Sequence, residues 1–500
     1  MKNRSTLFIR ATVVTVDAQN TIWLDGAVLV NGDRIAAIGK SADLLSQVPP
    51  NVDVVDVSGC IMLPGLINTH AHLTQSLLRG LAENVSLHSW LCDSIWPLEA
   101  NYEGTDGYVA ARLTIAEMLK GGTTCFLEAM LTHRSGFDNV VRAVEEMGVR
   151  ACLAKLVKPE TPGVLIDVRD RDVSCMSIES AVAAHKRYDG SYGGRLRVWV
   201  AAGTPRGSGE ASHRAIGDSC AQHDISLTMH CAEAPADLGI YRDSYHCSPV
   251  EFCQRTNLIA GQGQSRKTVL AHMVNLDLEK DLPILQRYQQ QQDPTSQEDV
   301  DKHVGLASRP SVSVAHNPSC NCKVASGIAP VPELLAAGIN VSLGTDGAPC
   351  ANTYDMIQEM RTAALIQRGS RNIASLMEAE QLIRMATIDG ARALGLENDV
   401  GSLEVGKKAD LVVLDTSSLQ CCPFDPDQVP SGGVDPLTTV VYSCTAANVK
   451  TVLVDGQAVV NDGRLVVADE TQIKDAARNV IRRIREKSSI AALKPQRKYK

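Results

Sequence analysis

The sequence predicts an α/β protein in which a (β/α)8 barrel of the TIM type carries a small β-sandwich domain built from both chain ends. Two observations predict it. Eight short apolar runs, most separated by stretches of helical periodicity, lie between residues 64 and 344, the alternation that builds a parallel barrel. Outside that span both ends carry β-branched runs joined by turn dipeptides, too few strands at either end to stand alone. At 500 residues the chain exceeds one ordinary core, and a prior of about 150 residues per domain leaves room for a large barrel and smaller companions. The expected division gives residues 1–62 and 401–470 to the two parts of the sandwich, 63–400 to the barrel and 471–500 to a basic helix and tail.

Taken in order, residues 12–16 and 26–30 are β-branched or apolar runs, and Asn31-Gly32 ahead of residues 34–38 is a two-residue hairpin signal. Residues 410–414, 449–454 and 458–460 repeat that pattern, with Asp455-Gly456 as the turn. The barrel opens with Pro64-Gly-Leu-Ile-Asn-Thr-His-Ala-His72. A helix is expected from Asp106, with Val109, Leu113, Ala116 and Leu119 on one apolar face and Gly121-Gly122 as its stop. The second strand is residues 123–127, and the next helix carries Phe137, Val140, Val141, Val144 and Met147 before Gly148. Strands three to eight fall at 149–157, 197–202, 225–230, 268–272, 311–316 and 339–344. Residues 284–308, with glutamines at 289–292 and many charges, read as a polar, disordered insertion. From Ala476 onward, Arg478, Arg482, Arg483, Arg485 and Lys487 read as a solvated basic helix followed by a frayed tail.

Composition narrows the function classes. A formal charge of -8 offers no electrostatic footprint for nucleic acid. The first residues lack an apolar core of signal-peptide length, and no uncharged run approaches the roughly 18 residues of a membrane span. A cytoplasmic protein without a membrane partner is expected. The 15 cysteines are odd in number and scattered, which suits small buried hydrophobes in a reducing compartment better than a disulfide framework. Cys320-Asn-Cys322 and Cys421-Cys422 have no partner pair at zinc-site spacing.

In such barrels chemistry sits where strands end and loops begin. The first strand ends in His70 and His72, whose i, i+2 spacing points both imidazoles to one side. The fifth ends in His230 with Glu233 three residues on, the sixth in His272, the seventh in His316-Asn317 and the eighth in Asp346. Five of the chain's 12 histidines thus stand at strand ends beside two carboxylates, a concentration that marks a site. Three neutral imidazoles and a carboxylate suit one divalent metal, zinc ahead of iron(II), with room for a water whose proton is lost near neutral pH. Asp346 is placed to ligate and to take that proton, Glu233 to protonate a ring nitrogen of the substrate, and His272 to orient the nucleophile.

Longer motifs make the likeness specific. Pro64 to His72 is joined by Leu78-Arg-Gly80, Trp96-Pro-Leu-Glu99, Ile115-Ala-Glu-Met-Leu-Lys-Gly-Gly-Thr-Thr124, His316-Asn-Pro318, Ala325-Ser-Gly-Ile-Ala-Pro330, Leu343-Gly-Thr-Asp-Gly347 and the stretch from Gly401 to Val413. The chain resembles the amidohydrolase superfamily in its mononuclear cytosine-deaminase-like branch. Within it the likeness is greatest to the 5-methylthioadenosine/S-adenosylhomocysteine deaminases and the s-triazine hydrolases, and it runs to about residue 465. The resemblance implies His70, His72, His230 and Asp346 as metal ligands, with Glu233, His272 and Asp346 catalytic. It also implies Trp90, Glu99, His316 and Asn317 at the substrate, and a homo-oligomer, dimer or tetramer.

The expected activity is hydrolytic deamination of an amine-bearing purine or nucleoside-like heterocycle. A general acid at Glu233 favours attack on an aromatic amidine, an electrophile that adds more easily once a ring nitrogen is protonated. The rivals are an s-triazine or guanine/pterin-type amidohydrolase, a binuclear cyclic-amide hydrolase and a catalytically inactive barrel scaffold. Strand four has no lysine to bridge two metals, which disfavours the binuclear rival. The chain departs from its relatives at Gly203-Thr204-Pro205, where they carry a histidine two residues before the proline. The loop from Ala234 to Ser265 is expected to be long and cysteine-rich.

Overall fold

A computed structural model describes residues 5–158, 174–261, 264–289 and 310–488. Eight parallel strands form the barrel: β1 (Leu66–Ala71), β2 (Thr123–Leu131), β3 (Arg150–Val157), β4 (Leu196–Ala202), β5 (Leu227–Cys231), β6 (Thr268–His272), β7 (Val312–His316) and β8 (Val341–Leu343). They pair in sequence order. The ring closes through a parallel bridge between Ala71 and Asp346, just beyond the last strand. Strands β6, β7 and β8 are buried along their whole length, as strands covered on both faces must be.

The helices follow from local signals. Helix Phe137–Met147 buries Phe137, Val140, Val141, Val144 and Met147, and Gly148 ends it in the left-handed conformation at φ 69°. Helix Asp106–Lys120 stops at Gly121 and buries Ala116 and Leu119 of the expected face, together with Ala110, Ala111, Thr114, Ile115 and Met118. Val109 and Leu113 of that face are only partly buried, so the buried stripe is wider than the single face expected and displaced from it.

Both chain ends meet in one mixed sheet. Strand Ser5–Val14 pairs with Ile22–Asn31, Asp53–Asp56 and Cys60–Pro64, and Cys60–Pro64 pairs antiparallel with Leu411–Asp415 from the far end. The hairpin at Asn31 reaches back to the C-terminal half, where Ile35 N–H donates to the Lys407 carbonyl at 2.9 Å and Ala409 N–H to the Asp33 carbonyl at 2.9 Å. The sheet thereby folds over its own core of Phe8, Val13, Val28, Met62, Leu411 and Val413. Arg150 on β3 fastens the sheet to the barrel: its guanidinium donates twice to Asp410, at 3.0 and 3.1 Å, and again to Asp455.

Three expectations need correction. Residues 284–289 are no disordered insertion: Ile284 and Leu285 are buried in helix Leu278–Arg287, and Gln289 donates to the Val312 carbonyl at 3.0 Å. The remainder of that insertion, 290–308, lies outside the described residues. The cysteine-rich loop holds helices Pro235–Tyr245 and Pro249–Arg255, the second started by a Ser248/Glu251 capping box. The basic helix Glu470–Lys487 is docked rather than solvated on all sides, burying Ala477 and Ile484 and pairing Arg483 with Glu103 and Asp106. The tail beyond residue 488 lies outside the described residues.

Candidate metal centre

His70 and His72 flank Ala71 at the carboxyl end of β1, and the barrel closure brings Asp346 against them. The Asp346 N–H donates to the His70 carbonyl at 2.8 Å, and Asp346 itself has φ 64°, a left-handed conformation that aspartate tolerates better than most residues. Gly344 is required just upstream, since a Cβ there would lie 2.4 Å from Asn317 Oδ1 and 2.7 Å from His70 Cβ. His230 arrives from β5. His72 Nε2 lies 3.1 Å from His230 Nε2 and 3.2 Å from Asp346 Oδ1, and His70 Nε2 lies 3.6 Å from the same oxygen. One donor atom from each of the four residues lies within 4.8 Å of the others.

The electrostatics favour a cation at that point. Burial holds His70 down to about 4 despite the adjacent Asp346. Burial, reinforced by positive charge on the neighbouring histidines, pushes His230 well below its usual value. His72 goes the other way: burial lowers it, but the bond to Asp346 together with the charges of Asp346, Glu128 and Glu99 raises it above its usual value. Burial would raise Asp346, yet His70 and His72 hold it well below the usual carboxylate range. The set is therefore a carboxylate among imidazoles that are mostly neutral. Neither ring nitrogen of buried His70 has a hydrogen-bond partner. Orphaned buried donors of this chemistry fit a tetrahedral zinc or a ferrous ion.

Glu233 sits beside this cluster. Its backbone N–H donates to Asp237 Oδ2 at 2.9 Å, and its Oε2 accepts from Arg206 at 2.8 Å. Arg206 Nε lies 3.0 Å from Asp237 Oδ1, so one guanidinium holds both carboxylates. Glu233 Oε1 lies 3.8 Å from His272 Nε2, which is also 3.8 Å from Asp346 Oδ2. His272 Nδ1 lies 2.9 Å from Asn321 Oδ1. That acceptor fixes the proton on Nδ1 and leaves the Nε2 lone pair facing the carboxylates. Asn317 Nδ2 lies farther from Nδ1, at 3.3 Å.

The remaining expected site residues are all buried. Glu99 accepts from Gln75 Nε2 at 3.1 Å, and its charge acts on His72. Trp90 lies in an apolar cluster with Leu87, Leu98, Tyr102 and Cys350, its Nε1 without a hydrogen-bond partner. Burial pushes His316 down to about 3, and neither of its ring nitrogens has a hydrogen-bond partner. Sequence reasoning missed Arg206 and Asn321, and it set Cys320 aside for want of a partner pair at zinc-site spacing. Arg206 follows Pro205 at the end of β4, a strand-end position that carried the signal, but an isolated arginine there reads as a solvated loop charge. Just beyond β4, the Gly203 carbonyl accepts from His213 Nε2 at 2.7 Å.

An eight-stranded parallel barrel with three histidines and an aspartate gathered at its strand ends defines the class of metal-dependent barrel hydrolases. The chain belongs to the amidohydrolase family, whose model, described as "Amidohydrolase family", matches residues 61–459. It is 32% identical over 466 residues to a 5'-deoxyadenosine deaminase of Methanobrevibacter smithii, covering 93% of this chain and 95% of that one. It is 33% identical over 461 residues to a 5-methylthioadenosine/S-adenosylhomocysteine deaminase of Desulforudis audaxviator, covering 92% and 95%. Among solved structures, a zinc-bound adenosine deaminase from Xanthomonas campestris superimposes with a TM-score of 0.83 at 27% identity, covering 97% of this chain and 99% of that one. A zinc complex of atrazine chlorohydrolase from Arthrobacter aurescens shares the fold, with a TM-score of 0.78 at 24% identity over 95% of this chain and all of that one.

Proposed function

We propose that the protein is a metal-dependent aminohydrolase that removes the amine from a purine ring in a nucleoside-like substrate. It acts on carbon–nitrogen bonds other than peptide bonds, in cyclic amidines. The observation that carries this reading is the placement of the Glu233 carboxylate, held by Arg206 and Asp237, beside His272 and the cluster of His70, His72, His230 and Asp346. The similar proteins named as deaminases of 5'-deoxyadenosine and of 5-methylthioadenosine or S-adenosylhomocysteine support a purine nucleoside as the substrate class.

His70, His72, His230 and Asp346 would hold one divalent ion, zinc in preference to iron(II), a choice supported by the zinc bound in the adenosine deaminase of similar fold. When bound, such an ion supplies an activated water as the nucleophile near neutral pH. Asp346 is the proton acceptor for that water, and His272 orients it through Nε2. Glu233 Oε1 donates a proton to the ring nitrogen beside the amine-bearing carbon, which makes that carbon electrophilic. Asp346 then returns its proton to the departing amine, Glu233 takes the proton of the added hydroxyl as the ring carbonyl forms, and ammonia leaves. Trp90, Glu99, His316 and Asn317 bind the substrate, with Glu99 accepting from ribose hydroxyls.

Ammonia release from 5'-deoxyadenosine, 5-methylthioadenosine, S-adenosylhomocysteine, adenosine and aminotriazines, on protein of known metal content, tests the reading. Release from the nucleosides is expected. Silence across the panel with metal loaded rejects it, and release from triazines alone moves the protein to the triazine reading. Among the described residues no helix is long and apolar enough to cross a membrane. A cytoplasmic location is part of the proposal, supported by free cysteines throughout the chain, Cys421 and Cys444 included although their sulfurs lie 3.8 Å apart. A dimer or tetramer is proposed as well, and light scattering on the purified protein decides it.

A further inference from the structure

The first cluster does not exhaust the convergent donors at the barrel mouth. Glu233, His272, Cys320 and Asp346 form a second group, all buried, with one donor atom from each within 4.8 Å of the others. Helix Pro318–Lys323, which starts two residues after β7, supplies Cys320. His272 Nε2 is buried without a hydrogen-bond partner. It lies 3.8 Å from Glu233 Oε1 and 3.8 Å from Asp346 Oδ2, and ligands about 2.0–2.3 Å from one tetrahedral ion stand about 3.3–3.8 Å apart.

The oxygens divide cleanly between the two groups. Asp346 Oδ1 faces His70 and His72, while Oδ2 faces His272. Glu233 Oε2 is taken by Arg206, leaving Oε1 turned to His272. Asn321 fixes the Nδ1 proton of His272, so Nε2 presents a lone pair to two carboxylate oxygens. That arrangement is repulsive unless a proton, as on Glu233 in the deaminase reading, or a cation lies between them.

We propose that Glu233, His272, Cys320 and Asp346 form a second cation site, taken by a thiolate-tolerant divalent ion such as zinc or cobalt(II), with Asp346 bridging to the first. The thiol proton of Cys320 leaves to solvent as the sulfur binds, as metal sites with cysteine ligands require. The carboxylate bridge sets the two ions about 3.5–4 Å apart. Occupancy is inhibitory, because it withdraws Glu233 from proton transfer. The inhibition rests on the deaminase reading; the site itself does not.

Full-length protein holding one equivalent of zinc is titrated with cobalt(II), and bound metal, near-ultraviolet absorption and ammonia release are followed together. A second equivalent is expected, accompanied by a thiolate-to-cobalt charge-transfer band that the first cluster, which lacks sulfur, does not give. Ammonia release should fall about 10²-fold as the general acid is lost. Cys320→Ser should keep the first equivalent and lose the band and the inhibition. Binding of no second equivalent, a second equivalent without the band, or a serine variant that behaves like the parent overturns the site. A band with undiminished ammonia release overturns the inhibition. Protein that releases no ammonia at any loading fails the deaminase reading, and the metal count and band still decide the site.

Discussion

The backbone N–H of Asp346 donates to the carbonyl of His70 at 2.8 Å, and this bond helps seal the barrel between its last strand and its first. The same contact sets two donors of the metal cluster side by side. Closing the barrel and assembling the cluster are one structural event, so the site is as rigid as the fold.

His70→Ala should therefore remove a ligand without opening the ring, because the closing bond uses backbone atoms. The expected outcome is folded protein with metal content near zero and no deamination. Full metal retention, read by atomic absorption on protein with an unchanged circular dichroism spectrum, contradicts the ligand assignment.

Glu233→Gln keeps the size and the Arg206 contact but gives up the proton. Metal content should stay at the parental level while kcat falls by about 10² or more. Loss of metal together with activity would show that Glu233 serves the ion rather than the substrate.

Arg206 holds two buried carboxylates with one planar fork, which lysine cannot reproduce. Arg206→Lys should lower kcat by about 10–10² with a smaller change in KM, since Glu233 is misplaced rather than removed. Arg206→Met leaves Glu233 and Asp237 unpaired and should destabilise the fold by about 3–5 kcal/mol in denaturant titrations.

Glu359 lies on helix Met356–Arg371 and accepts from the Ser319 N–H at 3.2 Å, just beyond His316 and Asn317. Burial, only partly offset by Ser319, pushes its carboxyl up to about 8. The folded protein keeps a proton there that the unfolded chain releases above about pH 4.5. Its stabilising contribution is full below that pH and is lost as the pH rises through 8. Glu359→Gln should flatten the decline in melting temperature between pH 5 and 9, an effect worth about 1–4 kcal/mol; parallel curves for variant and parent would refute a neutral buried Glu359.

Arg150→Met should break the tie between β3 and the mixed sheet, stranding Asp410 and leaving Asp455 to Arg195 and Lys408, at a cost of about 3–5 kcal/mol. If the sheet is a cooperative part of the fold, unfolding should remain a single transition at lower denaturant. A separate early transition would mean that the sheet unfolds on its own.

Much of this protein was legible in order along the chain. Apolar runs of strand length located all eight barrel strands to within a few residues, and Gly148 marked its helix end because only a left-handed residue closes a helix that way. Histidines directly at strand ends drew attention to His70, His72, His230 and His272 before any fold was in view. Where the reading failed, contacts distant in sequence decided. Arg483 meets Glu103 and Asp106, which turned an expected solvated helix into a docked one, and the wider buried face of helix Asp106–Lys120 reflects packing that a single-face pattern does not encode.

By itself the sequence determined the barrel, its companion built from both ends, and the residue types standing where the strands stop, because strand period, turn chemistry and caps are local properties. The tertiary structure alone decided that Asn321 fixes the His272 proton, that Arg206 grips Glu233 and Asp237, and that Cys320 stands near Asp346. Each of these depends on the register and closure of the barrel, which fix distances between groups tens to hundreds of residues apart, and a linear pattern carries no such distances.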